Sequence, residues 1–185
     1  MRPPFAFIHP RIDGYAHGYF EWSGAGLYRP GQAVGGSMYQ GNGAFVQAWY
    51  GFSMSELFLR LDPASGSDLR GELRILLSRE RPAGALPWTS EAGIREEKTL
   101  RMQLQPFGVD CPVADERQTQ CGIGRCGAIV ELSISLAALG VAPSDRLGML
   151  VRLMRDGVEV DRLPRYGELE LLVPDKSFER AHWHV

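Results

Sequence analysis

Apolar residues in this chain recur at every second position, in short runs. Val46, Ala48, Tyr50 and Phe52 alternate with Phe45, Gln47 and Trp49, and Leu57, Leu59 and Leu61 alternate with Phe58 and Arg60. The same pattern returns at Leu73/Ile75/Leu77, Leu100/Met102/Leu104, Val130/Leu132/Ile134, Leu147/Met149/Val151/Leu153 and Leu169/Leu171/Val173. A period of two sends successive side chains to opposite faces of a strand. No segment keeps a helical period over the roughly 11 residues a helix assignment needs. The fold class is therefore all-β. Short strands separated by Gly, Pro, Asn and Asp signals point to an antiparallel β-sandwich, with at most one helical turn, at Ser135–Gly140.

The runs between the clear strands set further expectations. Phe5–Ile8 reads as a short apolar strand closed by His9-Pro10. Phe20–Tyr28 is strand-like, with Gly24 and Gly26 marking a bulge or a close backbone approach. Arg29–Gly43 and Arg81–Gly93 read as Gly- and Pro-rich loops, and Phe107–Cys121 as irregular. Asp156-Gly157 is a hairpin turn, and Leu163–Gly167 is another turn. There is no repeat and no internal linker, so residues 1–185 read as one domain, long enough to fold around its own core.

Charge and motifs narrow the function. A net charge of −2 leaves no basic stripe for phosphates, so nucleic acid is not an expected partner. No apolar run approaches the roughly 20 residues of a membrane-spanning helix. Met1-Arg2-Pro3-Pro4-Phe5 lacks the apolar run of a secretory signal, so a cytoplasmic location is the expectation. Neither a G-x-S-x-G elbow, nor a phosphate loop, nor H-E-x-x-H is present. Cys111, Cys121 and Cys126 lack zinc-site spacing and read as free thiols in a long loop and the strand after it, with room for one opportunistic disulfide.

Two blocks carry a family resemblance. The first joins Ile8-His9-Pro10-Arg11-Ile12-Asp13-Gly14, Tyr19–Gly26, Gly36-Ser37-Met38, Trp49-Tyr50-Gly51-Phe52 and Leu57–Asp62. The second joins Glu131–Ile134, Leu139-Gly140, Leu163–Gly167, Pro174-Asp175 and Trp183. Together they resemble the C-terminal accessory domain of family 57 glycoside hydrolases, of the α-amylase/α-mannosidase type. That domain is similar to the DOMON-like, jelly-roll sandwiches that include type 9 carbohydrate-binding modules. The resemblance implies a non-catalytic module associated with carbohydrate, an α-glucan or oligosaccharide, or one that packs against a glycoside hydrolase catalytic domain or a second copy of itself. The catalytic region of such enzymes is absent, so the chain is not expected to be an enzyme. Met38-Tyr39 stands where those enzymes carry a Met-His pair, and the role of that His does not transfer. Haem-binding DOMON relatives use Met and His, which Met38, Met54 and the His residues permit without supporting. No cofactor is expected; calcium occurs in related modules, but the loops here lack a dense Asp run.

Sugar recognition needs a flat aromatic face and polar groups for the hydroxyls. Trp22, Trp49, Tyr50, Trp88 and Trp183 are the candidate platforms, and Glu21, Asn42, Gln47, Arg60 and Asp62 the polar partners nearest to them. The plainer reading makes Trp22 and Tyr50 core residues, Trp183 an anchor of the C-terminus, Asp62 the start of a turn and Arg60 a simple outward side chain. Trp88 is a lid or an incidental surface residue. Trp49, Gln47 and Arg60 are the best candidates for exposed ligand contacts, followed by Trp88, Glu21 and Asp62. Glu21, Asp62 and Glu131 are the carboxylates a hydrolase would need.

Overall fold

The computed structural model describes residues 1–18, 20–30, 43–81, 94–105 and 107–178. The strands are β1 (Gly26–Tyr28), β2 (Phe45–Phe52), β3 (Glu56–Pro63), β4 (Gly71–Arg81), β5 (Ile94–Leu104), β6 (Asp110–Asp115), β7 (Gln120–Cys126), β8 (Val130–Ser135), β9 (Arg146–Arg155), β10 (Val158–Leu163) and β11 (Leu169–Leu172). One short helix, α1 (Leu136–Leu139), sits between β8 and β9. Ser135 caps its start by accepting from Ala138 N at 3.3 Å, and Gly140 ends it with a φ of 68°.

The all-β expectation holds, but the strands form one continuous antiparallel sheet instead of two separate ones. Its order is β1-β2-β3-β8-β7-β6-β5-β4-β9-β10, with β11 on β9. The narrow point is between β5 and β6, which pair only at Leu100–Asp115 and Arg101–Ala114. The sheet is curled, and its main core runs from Tyr28 on β1 to Leu171 on β11. The two ends of the path then meet through side chains. Asp161 on β10 is 5% exposed and its Oδ2 accepts Phe45 N at 3.0 Å. Nearby, the Tyr28 hydroxyl accepts Arg165 N at 3.2 Å. A register shift between Glu159 and Asp161 turns that carboxylate inward.

Several local expectations are corrected. Phe5–Ile8 is not a ladder strand: Phe5 N donates to Gly24 O at 3.0 Å and Ile8 N to Phe52 O at 2.9 Å, so it lies across the sheet as a lead-in. Residues 21–24 form a turn, and only Gly26–Tyr28 of the Phe20–Tyr28 run is strand. The glycine reading survives there. A Cβ on Gly24 would come within 2.9 Å of Ala6 Cβ, and one on Gly26 within 2.6 Å of the Tyr50 ring. In β2 a register shift between Phe45 and Gln47 puts Phe45 in the core and leaves Val46 exposed, reversing their expected faces. The stretch 107–121 holds β6 and the start of β7. Cys111, Cys121 and Cys126 are therefore buried strand residues, and all three are free thiols. Burial, with Cys111 nearby, pushes the Cys126 thiol up to about 11, which leaves it unreactive at neutral pH.

Candidate functional site

The candidate residues of β2 and β3 do come together on the outer face of the sheet. Antiparallel register sets Gln47 opposite Asp62 and Trp49 opposite Arg60. Asp62 is the hub. Its Oδ2 accepts from Gln47 Nε2 at 2.5 Å and Trp49 Nε1 at 3.2 Å, and its Oδ1 accepts from Arg60 Nε at 2.6 Å. Gln47 Oε1 in turn accepts from Arg29 Nε at 3.0 Å. The guanidiniums of Arg60 and Arg2 lie 5.9 and 5.8 Å from the centre of the Trp49 ring system, within cation–π range.

Burial corrects how exposed these groups were expected to be. Asp62 is buried, the Arg60 side chain is 13% exposed, and Trp49 and Gln47 are half-buried. The cause is the lead-in, which packs over this face through Ile8, Ile12, Trp22 and Ala25. Ile8, Trp22, Ala25 and Phe58 make a second, smaller core there, with Ile12 and Trp49 against it. Tyr50 points the other way, into the main core; burial pushes its hydroxyl up to about 12. The reading of Trp22 and Tyr50 as core residues thus holds. Asp62 lies within β3, paired with Gln47, and organises its neighbours, which the turn-start reading did not foresee. Glu21 stands apart from the cluster: its Oε1 accepts Arg11 N at 2.9 Å and its Oε2 is buried without a hydrogen bond. Trp88, Asn42 and Trp183 lie outside the described residues.

In the sequence Glu131 stands out as a carboxylate a hydrolase would need and as part of the second resemblance block. It is fully buried at the heart of the covered face, opposite Arg60 on one side and Arg125 on the other. Its carboxylate accepts Trp22 Nε1 at 3.2 Å, Gly14 N at 3.0 Å and Asp13 N at 3.2 Å. Burial raises its pKa above the ordinary value, and those three donors only partly offset the rise. Asp13, beside it, accepts from His17 Nε2 at 2.6 Å and Tyr15 N at 3.0 Å. Its burial raises the carboxyl, but these bonds outweigh it and the net shift is downward. The advance signal for its burial was a charged residue between Val130 and Leu132 in an otherwise apolar strand.

Two open clefts lie elsewhere. One, of about 540 Å³, is lined by Arg79, Lys98, Asp115, Leu139 and Leu147 near α1. Two of its cations are already engaged, Arg79 with Glu96 and Asp145 and Lys98 with Ala138 O. The other, of about 580 Å³, borders the outer face of β4, β5 and β9. Among the described residues no group of three or more His, Cys, Asp or Glu side chains gathers as a metal site, and no helix is long and apolar enough to cross a membrane. No family, curated protein or solved structure matches the chain.

Proposed function

We propose that this chain is a non-catalytic carbohydrate-binding accessory module, of the kind that follows the catalytic region in family 57 glycoside hydrolases. It takes a neutral sugar, an α-glucan or oligosaccharide, against Trp49, with Gln47, Arg60 and Asp62 serving the hydroxyls. The observation that carries this reading is a half-buried indole whose Nε1 is fixed by Asp62 and which stands beside the Gln47 amide and the guanidiniums of Arg60 and Arg2. Such a group offers a preorganised flat face beside donors and acceptors.

A second reading has its own support. The three side-chain donors on Asp62 and the lead-in packed over this face also suit a purely structural clasp, in a module that packs against a catalytic domain or another copy of itself. Titration of intrinsic Trp fluorescence with maltooligosaccharides separates the two. The sugar reading expects a saturable change that Trp49→Ala abolishes. No response at millimolar sugar, with Trp49→Ala lowering only the unfolding temperature, leaves the structural reading standing. Aryl glycosides are expected to remain intact under both.

A further inference from the structure

The outer face of β5-β4-β9-β10 carries an arrangement that the Trp49 cluster does not explain. Arg74 on β4 stands opposite Arg101 on β5 and opposite Arg152 on β9, and Arg152 stands opposite Arg162 on β10. Four arginines thus form one row across four neighbouring strands, a strand spacing of roughly 4.8 Å apart. Arg101 is exposed, and the side chains of Arg74, Arg152 and Arg162 are 32%, 33% and 36% exposed. Like charges directly opposite one another destabilise a sheet, and neutral β-formers would suit these outward positions better.

The row is only half neutralised. Glu72 pairs with Arg74, and Glu159 lies 3.4 Å from Arg152 Nε and 2.7 Å from Arg162 Nε. Neither of those two Nε groups makes an aligned hydrogen bond. Arg101 has no hydrogen bond or ion pair among the described residues. Four cations therefore face two carboxylates. The cleft of about 580 Å³ opens beside the row, lined by Arg74 and Gln103 and also by Asp68, Glu72 and Asp156; its Arg70 and Arg155 are already paired with Asp68, so the excess charge lies on the row and not in the cleft.

We propose that this face binds an anionic polysaccharide, its carboxylate or sulfate groups seated on Arg101, Arg74, Arg152 and Arg162. The planar guanidinium fork suits both anions. An acidic peptide is the competing occupant, and poly-glutamate binding more tightly than either acidic polysaccharide would overturn the proposal. Duplex nucleic acid calls for a strongly basic domain, whereas this chain has a net charge of −2 and a pI near 6.1. An anionic membrane needs protruding apolar anchors, but in the next row Leu76 is half-buried and Leu150 is 7% exposed.

Calorimetric titration with polygalacturonate, dextran sulfate, unmodified dextran, poly-glutamate and duplex DNA tests this. At least one acidic polysaccharide binds, and its affinity falls as NaCl is raised. Arg101→Glu weakens that binding at least roughly tenfold, Arg162→Gln weakens it less, and both variants keep the wild-type circular dichroism. Which polymer binds distinguishes carboxylate from sulfate. Binding unchanged in Arg101→Glu, binding of neither acidic polymer, or tighter binding of DNA overturns the proposal. Trp49→Ala leaves acidic-polymer binding intact, so this site stands or falls separately from the neutral-sugar reading.

Discussion

The two outer faces of this sheet are built from the same alternation and end in opposite states. On the β2-β3-β8 face the lead-in covers the sheet, and the polar residues beneath it are matched donor to acceptor around Asp62 and Glu131. On the β5-β4-β9-β10 face nothing described lies over the arginine row, and its charges are left in excess. The difference teaches that an outward position in a strand is a surface position only if no other segment crosses it. Buried polar groups must then be satisfied from within, whereas uncovered ones are free to keep charges that serve a partner.

Substitutions on the covered face test that contrast most severely. Trp22→Ala removes the largest side chain of the small core and is expected to cost about 3–5 kcal/mol in urea unfolding; a loss below about 1 kcal/mol would mean the lead-in is not a second core at all. Glu131→Ala strands the Trp22 indole and the amides of Asp13 and Gly14, a loss on the order of 3 kcal/mol. Glu131 also sets a pH slope. Its folded pKa is raised, so the stability it contributes is complete below the unfolded value of about 4.3 and is lost as pH rises through the folded value. Across that window the slope of the unfolding midpoint against pH should be more negative in the native protein than in Glu131→Ala. Asp62→Ala frees three donors at a partly solvated site and should cost about 2 kcal/mol. On the other face, Arg101→Thr should move the unfolding midpoint by no more than about 0.5 kcal/mol, and toward greater stability because it relieves like-charge contact. A large loss there would erase the distinction between the faces.

Much of the fold was legible because alternation survives where one face meets the core. β3, β4 and β9, the Asp156-Gly157 hairpin and the capped turn at Leu136–Leu139 all follow the pattern. β6 and β7 were hidden by their own packing. Pro112 looks like a strand breaker, but it lies in the part of β6 that β5 does not pair, so its missing N–H costs no ladder bond. Gly122 and Gly124 dilute the signal of β7 because a Cβ would run into Ser133 O at the first and Met102 Sδ at the second. The grouping of Gln47, Trp49, Arg60 and Asp62 could be read from neighbouring alternating strands. Their enclosure could not, because it depends on where the lead-in crosses the sheet, and short irregular segments carry no period that records their path.

The junction between β10 and the start of β2 has a consequence for shelf life. Among the described residues only side chains, chiefly Asp161 and Tyr28, close it, and no backbone ladder joins these strands. A closed barrel hides every strand edge, whereas a sheet latched in this way keeps the β10 edge, which another molecule's strand could pair with once the latch is removed; the β1 edge is taken by Arg2, which exchanges both backbone hydrogen bonds with Leu27. Asp161→Ala should therefore show itself first as concentration-dependent light scattering on storage, with the isolated molecule still folded.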